Sequence, residues 1–191
     1  MIFMVDLVYT QPLKELLQIA VYFREPTIVL VNNEKDEKVA KLNTLIPCYL
    51  FTEKTTDSEL NKFRGKLKAV LGGSIKANEL AVKIKADFLI SPSNTKQFFD
   101  LALAKKLAEN NTTVVFMFEE LMKLNSFERH LYWKNYLEVV NYCKLKKTKF
   151  VVASGSKDAL HVRPKIVRLC LAQMLGYPKE LANSSIEQGF K

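Results

Sequence analysis

Seven short apolar runs, strung along the whole chain, restrict the fold more than any other property of this sequence. They lie at Phe3–Val8, Thr27–Val31, Ile46–Phe51, Lys66–Leu71, Asp87–Ile90, Thr113–Phe118 and Phe150–Ala153. Ile28-Val29-Leu30-Val31 and Val114-Val115-Phe116-Met117 have no polar face, which predicts strands of a parallel sheet covered by helices on both sides. Helical patterns fall between many of the runs, at Leu13–Phe23, Ile75–Ile84, Lys96–Glu109, Phe127–Leu145 and Lys165–Leu175. Pro12, Pro164 and Pro178 stand where helices would open, since a first-turn residue needs no N–H. Pro26, Pro47 and Pro92 are expected to flank strands. Seven β/α alternations without a Gly-rich first turn favour a closed or nearly closed β/α barrel, TIM-barrel-like, over an open α/β sheet, which is the second choice. A barrel of 191 residues is small, so some of its units must be short or irregular. The expectation is one domain spanning residues 1–191.

The charge is uneven. Of 29 basic and 20 acidic side chains, residues 1–122 hold 16 and 15, whereas residues 123–191 hold 13 and 5. A basic final third suggests a polyanionic partner, although solvated helix faces give the same count. No apolar run approaches the roughly 18 residues of a membrane-spanning helix. Asp6 interrupts the first apolar stretch, which has no basic lead-in and so does not read as a signal peptide. Cys48, Cys143 and Cys170 are too scattered for a disulfide framework or a zinc pattern. An intracellular, cytoplasmic, soluble protein is expected.

Several chemistries lack their residues. With His130 and His161 alone, and no HxH, HExxH or CxxC, a zinc or binuclear hydrolase has no ligand pattern. Ser154-Gly155-Ser156 is not a GxSxG elbow, and neither GxxxxGK[ST] nor GxGxxG occurs. Gly72-Gly73 reads as a tight turn or a phosphate cradle. The chain is not expected to be catalytic by itself.

The segment Lys149–Arg168 reads as a strand, a small-residue loop and a helix opening near Arg163-Pro164. Such a loop at a strand's carboxyl end offers N–H groups to a phosphate, with Ser154 and Gly155 in the loop and Lys157, His161 and Arg163 as side-chain donors. A polar turn capped by Ser156 or Asp158 is the plainer alternative. Arg129 projects onto the apolar arc of its helix with Trp133, Tyr136, Val140 and Cys143, so it either passes the helix end or is held at a site. Arg64, Lys66 and Lys68 alternate toward one face, as an RNA-facing stripe or a solvated edge. Lys144–Lys149 suits a helix carboxyl terminus and falls at the end of the barrel away from this loop. Tyr132, Trp133 and Tyr136 read as core or interface residues first.

With these residues in view, the chain resembles the archaeal ribonuclease P protein component three family, relatives of the thirty-kilodalton subunit of the eukaryotic enzyme. The likeness runs from Ala86 to the C-terminus. It is carried by Asp87–Pro92, by Ser126 and Arg129 at a helix start, by Phe150–Ser156, by Val162-Arg163-Pro164, and by Leu175-Gly176 followed by Glu180–Ile186. Val5-Asp6 and Gly72-Gly73 anchor the first 85 residues. Ser156 stands where the family usually has Ala. The resemblance implies a barrel related to the PHP metal hydrolases with the metal ligands absent and only Asp6 left near the first strand. It further implies a ribonucleoprotein whose RNA, using Mg²⁺, removes the 5′ leader of precursor tRNA. The partners it implies are the ribonuclease P RNA, a small RRM-like subunit, the other ribonuclease P proteins and, indirectly, the precursor tRNA. On this reading Arg129, Lys157, His161, Arg163 and Arg168 bind RNA phosphates or hold the rim that does, with Lys66 and Lys68 as outliers. The rival is a degenerate barrel enzyme taking a small phosphorylated metabolite at Ser154–Arg163; a third reading is a protein scaffold docking through the aromatic helix.

Overall fold

The computed structural model describes residues 6–9, 27–42, 45–157 and 161–178. Seven strands, β1 Asp6–Tyr9, β2 Thr27–Val31, β3 Ile46–Phe51, β4 Lys68–Leu71, β5 Phe88–Ile90, β6 Thr113–Met117 and β7 Phe150–Ala153, form one sheet in chain order. Every neighbouring pair is parallel. Seven helices are described: α1 Glu34–Leu42, α2 Asp57–Lys62, α3 Ile75–Lys83, α4 Leu101–Glu109, α5 Phe118–Lys123, α6 Ser126–Lys146 and α7 Lys165–Met174. All five residues of β2 and of β6 are buried, as strands enclosed on both faces require.

The sheet closes on itself nearly completely. Beyond β7 the chain passes beside β1, and Gly155 N–H donates to the Leu7 carbonyl at 3.0 Å while Tyr9 N–H donates to the Ser156 carbonyl at 2.9 Å. Two main-chain bonds thus join the last described stave to the first, and the fold is an α/β barrel of TIM-barrel type with seven strands among the described residues. Outside it, Phe116 of β6 meets Tyr136 edge-on with ring centres 4.5 Å apart and Tyr132 at 5.6 Å. That side of α6 is therefore core, with Val139, Val140 and Cys143 also buried.

Three short helices, α1, α2 and α5, were not expected. Their sequences are too polar or too brief to show an apolar period, and at α1 and α2 local side-chain chemistry sets the first turn instead. Asn33 Oδ1 accepts from Asp36 N–H at 2.9 Å ahead of α1. Thr56 and Glu59 form a reciprocal capping box on α2, which buries no residue. The helix expected from Lys96 starts at Leu101, because the Asp100 side chain accepts from Leu103 N–H and fixes the first turn there. The strand expected from Lys66 begins at Lys68, and Phe118 opens a helix in place of ending β6. Pro47 lies inside β3 and does not flank it. Tyr49, of the same parity, sends its N–H to Leu67 just before β4, so the position of Pro47 precedes any donor the neighbouring strand could use. Pro164 precedes α7 as expected. The Leu13–Phe23 helix, Pro12, Pro26 and Glu180–Ile186 lie outside the described residues. Among the described residues no helix is long and apolar enough to cross a membrane.

Gly155 holds φ +64°, and a Cβ there would come 2.9 Å from Met117 Cβ. Strain and overlap act together at the closing stave, so Gly155→Ala is expected to cost about 3 kcal/mol of stability. Thermal denaturation followed by circular dichroism checks this; an unchanged midpoint would show that the closure tolerates a side chain.

Candidate functional site

Among its described residues, the loop after β7 has its N–H groups engaged at Ser154, Gly155 and Lys157, contrary to the sequence expectation. Ser154 N–H donates to Asp6 Oδ1 at 2.7 Å, its hydroxyl donates to Asp6 Oδ2 at 2.6 Å, and Gly155 N–H is used in the closure. Lys157 N–H donates to Glu119 Oε2 at 3.0 Å. Ser154 Oγ in turn accepts from Arg163 N–H at 2.7 Å, which folds the chain back toward α7. Arg168 is fully buried; its Nε donates to the Arg163 carbonyl at 3.0 Å, and Nη1 lies 3.8 Å from Asp6 Oδ1. Burial thus removes Ser154, Gly155 and Arg168 from direct contact with a polynucleotide. Their physical task is to seat a buried carboxylate and close the barrel.

Lys157, His161 and Arg163 do share the carboxyl-end rim. Lys157 Nζ lies 5.5 Å from the Tyr9 ring centre, and the Arg163 guanidinium lies 5.8 Å from that of Phe118. His161 and Arg163 line a pocket of about 270 Å³ with Phe118, Glu119, Met122 and Lys123. Glu119 and Glu120, directly after β6, went unnoticed in the sequence; two adjacent carboxylates at the end of an all-apolar strand were the available signal. Burial alone would raise Glu119, but Lys123 Nζ at 2.6 Å, the Lys157 N–H and the nearby His161 hold its carboxyl below the ordinary range. Burial pushes the Glu120 carboxyl up, although the hydroxyls of Ser91 and Tyr132 both donate to it. The same two carboxylates, after burial itself, push the Tyr9 phenol up. The rim is electrostatically mixed, not uniformly cationic.

Arg129 stands exposed in the first turn of α6 and reaches back across the helix junction. Its Nη2 donates to the Leu124 carbonyl at 2.9 Å and its Nε to the Leu121 carbonyl at 3.3 Å, so it caps the carboxyl end of α5. Lys66 and Lys68 lie at the other end of the barrel. Lys66 Nζ is 2.6 Å from Glu37 Oε2 and 5.2 Å from the Tyr49 ring centre, and Lys68 Nζ donates to the Ile84 carbonyl at 2.7 Å. At Gly72-Gly73 the turn reading holds. A Cβ on Gly72 would sit 2.8 Å from Pro92 Cα, and Ser74 Oγ, the N-cap of α3, donates to the Glu53 carboxylate at 2.6 Å, where a phosphate would be repelled.

The fold and rim define a small β/α barrel whose carboxyl end carries polar side chains held mostly by one another. No family model matches the chain, and no curated protein matches it in sequence. Among solved structures it is similar to a chain in a cryo-EM structure of archaeal ribonuclease P with mature tRNA, with a TM-score of 0.80 and 15% identity, over 97% of this chain and 87% of that one. It is also similar to a putative fructose-1,6-biphosphate aldolase from Coccidioides immitis, with a TM-score of 0.43 and 10% identity, over 97% and 88% of the two chains. At such identities the first likeness establishes a shared fold.

Two predictions follow from the buried charges. Arg168→Met leaves Asp6 without its cation and is expected to lose about 3–5 kcal/mol in urea denaturation; a loss under 1 kcal/mol would mean the pair does not hold the seam. Glu37 is nearly buried, and Lys41, Lys66 and the Tyr49 hydroxyl lower its carboxyl to about 2. The unfolded chain, near the ordinary 4.5, therefore binds the proton first. The stability Glu37 contributes is complete above that ordinary value and is lost as pH falls toward 2. The destabilisation by Glu37→Gln should accordingly be largest near neutrality and shrink in acid; a constant difference across pH would contradict this.

Proposed function

We propose that the chain is a protein subunit of a ribonuclease P ribonucleoprotein, binding the catalytic RNA and supporting removal of the 5′ leader from precursor tRNA. The observation that carries this reading is the fold likeness, over nearly the full length of both chains, to a chain of archaeal ribonuclease P. A formal net charge of +9 supports it, since neutralised phosphates let an RNA fold tightly at lower Mg²⁺. The RNA performs the cleavage with its own Mg²⁺, and a small RRM-like subunit and the other ribonuclease P proteins complete the particle. At the rim, Lys157, His161 and Arg163 contact phosphate or position what does, with Arg129 fixing the helix junction beside them. The small-metabolite reading gains nothing from the site: the loop N–H groups it needs are engaged, and Glu119 lines the adjacent pocket.

The test is reconstitution of precursor-tRNA cleavage from an archaeal ribonuclease P RNA and its protein subunits, with and without this chain. Adding it is expected to lower the Mg²⁺ needed for half-maximal cleavage, and Arg163→Glu to reverse part of that gain. Cleavage indifferent to the chain at every Mg²⁺ concentration would overturn the assignment. A folded Arg163→Glu protein that activates fully would remove Arg163 alone.

A further inference from the structure

We infer that the principal RNA-binding surface is the end of the barrel opposite the rim, where strands begin and helices finish. The inference deepens the proposed function and rests on it for the choice of partner. In an all-parallel barrel the segments preceding the strands gather at one end, and here their contacts run in sheet order. Asp87 N–H donates to the Lys68 carbonyl and Thr113 N–H to the Asp87 carbonyl, both at 2.9 Å, and Val114 N–H to the Lys149 carbonyl at 2.8 Å. The starts of β4, β5, β6 and β7 therefore stand side by side, about 4.8 Å apart from strand to strand.

Charge collects there. Segments 62–68 and 144–149 carry four cations each, and 83–87 and 105–109 two each, with Asp87 and Glu109 the only carboxylates among them. The remainder of the chain holds 17 basic and 18 acidic residues, so these four segments account for the whole net charge of +9. Three carboxylates from elsewhere, Glu34, Glu37 and Asp57, pair with Lys62, Lys66 and Lys83; counting them, and setting aside Lys149, whose Nζ is buried, still leaves the surface +6. Arg64, Lys85, Lys106, Lys144, Lys146 and Lys147 form no ion pair or side-chain hydrogen bond among the described residues, and all but the half-buried Lys146 are exposed.

Local structure does not account for this set. Cations suit the last turn of a helix, which covers Lys106, Lys144 and Lys146. Lys85 and Lys147, however, follow α3 and α6 in left-handed conformations, φ 49° and 57°, where glycine is the residue the backbone favours. Like charges side by side also repel one another. A surface several strands wide, with more cations than its own carboxylates pair, complements a run of phosphates and not a single one. The rim differs, since Glu119 lies against Lys123 and the Lys157 main chain.

The test combines Lys85→Gly, Lys106→Ala, Lys144→Ala and Lys147→Gly. The two glycines relieve left-handed backbone, so the variant is expected to melt no lower than the native chain. Binding of a labelled RNA duplex of about 20 base pairs is measured from about 50 to about 300 mM KCl. The variant is expected to bind at least about 30-fold more weakly, and its slope of log affinity against log salt to be shallower by about 3, as four lost phosphate contacts imply. A rim variant, Lys123→Ala with Lys157→Ala and Arg163→Ala, should change the slope less. An unchanged slope in the folded four-site variant, a larger change in the rim variant, or native protein that binds phosphatidylserine vesicles in place of the duplex would each overturn the inference. Shallower salt dependence together with no support for precursor-tRNA cleavage would uphold the surface and remove only the ribonuclease P assignment.

Discussion

A carboxylate withdrawn from water has to be answered from inside the protein, and the answer given to Asp6 organises much of this barrel. Ser154 donates to it twice and Arg168 stands beside it without solvent. Through Ser154 Oγ and the Arg163 carbonyl, the same atoms fix where the chain turns after β7 and how α7 approaches. The directions in which Lys157, His161 and Arg163 leave the rim are thus consequences of an ion pair none of them belongs to. Replacing that pair by apolar residues of equal volume need not weaken the fold, whereas removing one half strands the other.

Burial sorts the cations of this chain into different occupations. Arg168 balances an interior charge, Arg129 caps a helix, and Lys66 and Lys41 hold Glu37 ionised below the barrel. All serve the structure itself. What is left over can act outward, and the leftover is asymmetric: near balance around the carboxyl-end rim, a large surplus at the opposite end. In the usual β/α barrel the loops after the strands hold the site. A protein whose work is to face a polyanion is free of that geometry, because phosphate neutralisation asks for density of charge and not for convergence of side chains.

The barrel was legible because its signal is redundant. Strands such as β2 and β6 are apolar on both faces, and β2, β3 and β7 have the limits that hydrophobic pattern assigns them. Helices made by caps alone, like α2 with no buried residue, carry no such pattern and were invisible. The site was less legible. Pattern put Lys157, His161 and Arg163 together correctly, since loop order in a parallel barrel is enough for that. It put Ser154 in contact with solvent and left Arg168 either on phosphate or holding the rim, because their partner Asp6 is 148 residues from Ser154 in sequence and only the closed barrel unites them. Likewise the surplus of the last third proved to be shared with segments around residues 64 and 85, which adjoin it only across the sheet.

The seam also bears on how the chain attains its shape. Neighbouring staves from β2 onward are linked by crossovers that follow one another directly in sequence, and each can dock as soon as its helix is made. Gly155 and Tyr9 must find Leu7 and Ser156 across nearly 150 residues, an encounter with a far greater loop entropy to overcome. On a ribosome, β1 emerges before its closing partner and waits unpaired on one edge until residues 155 and 156 are synthesised. The ring is shut only once Gly155 and Ser156 are in place, so a chain that stops short of them is an open sheet with a sticky margin.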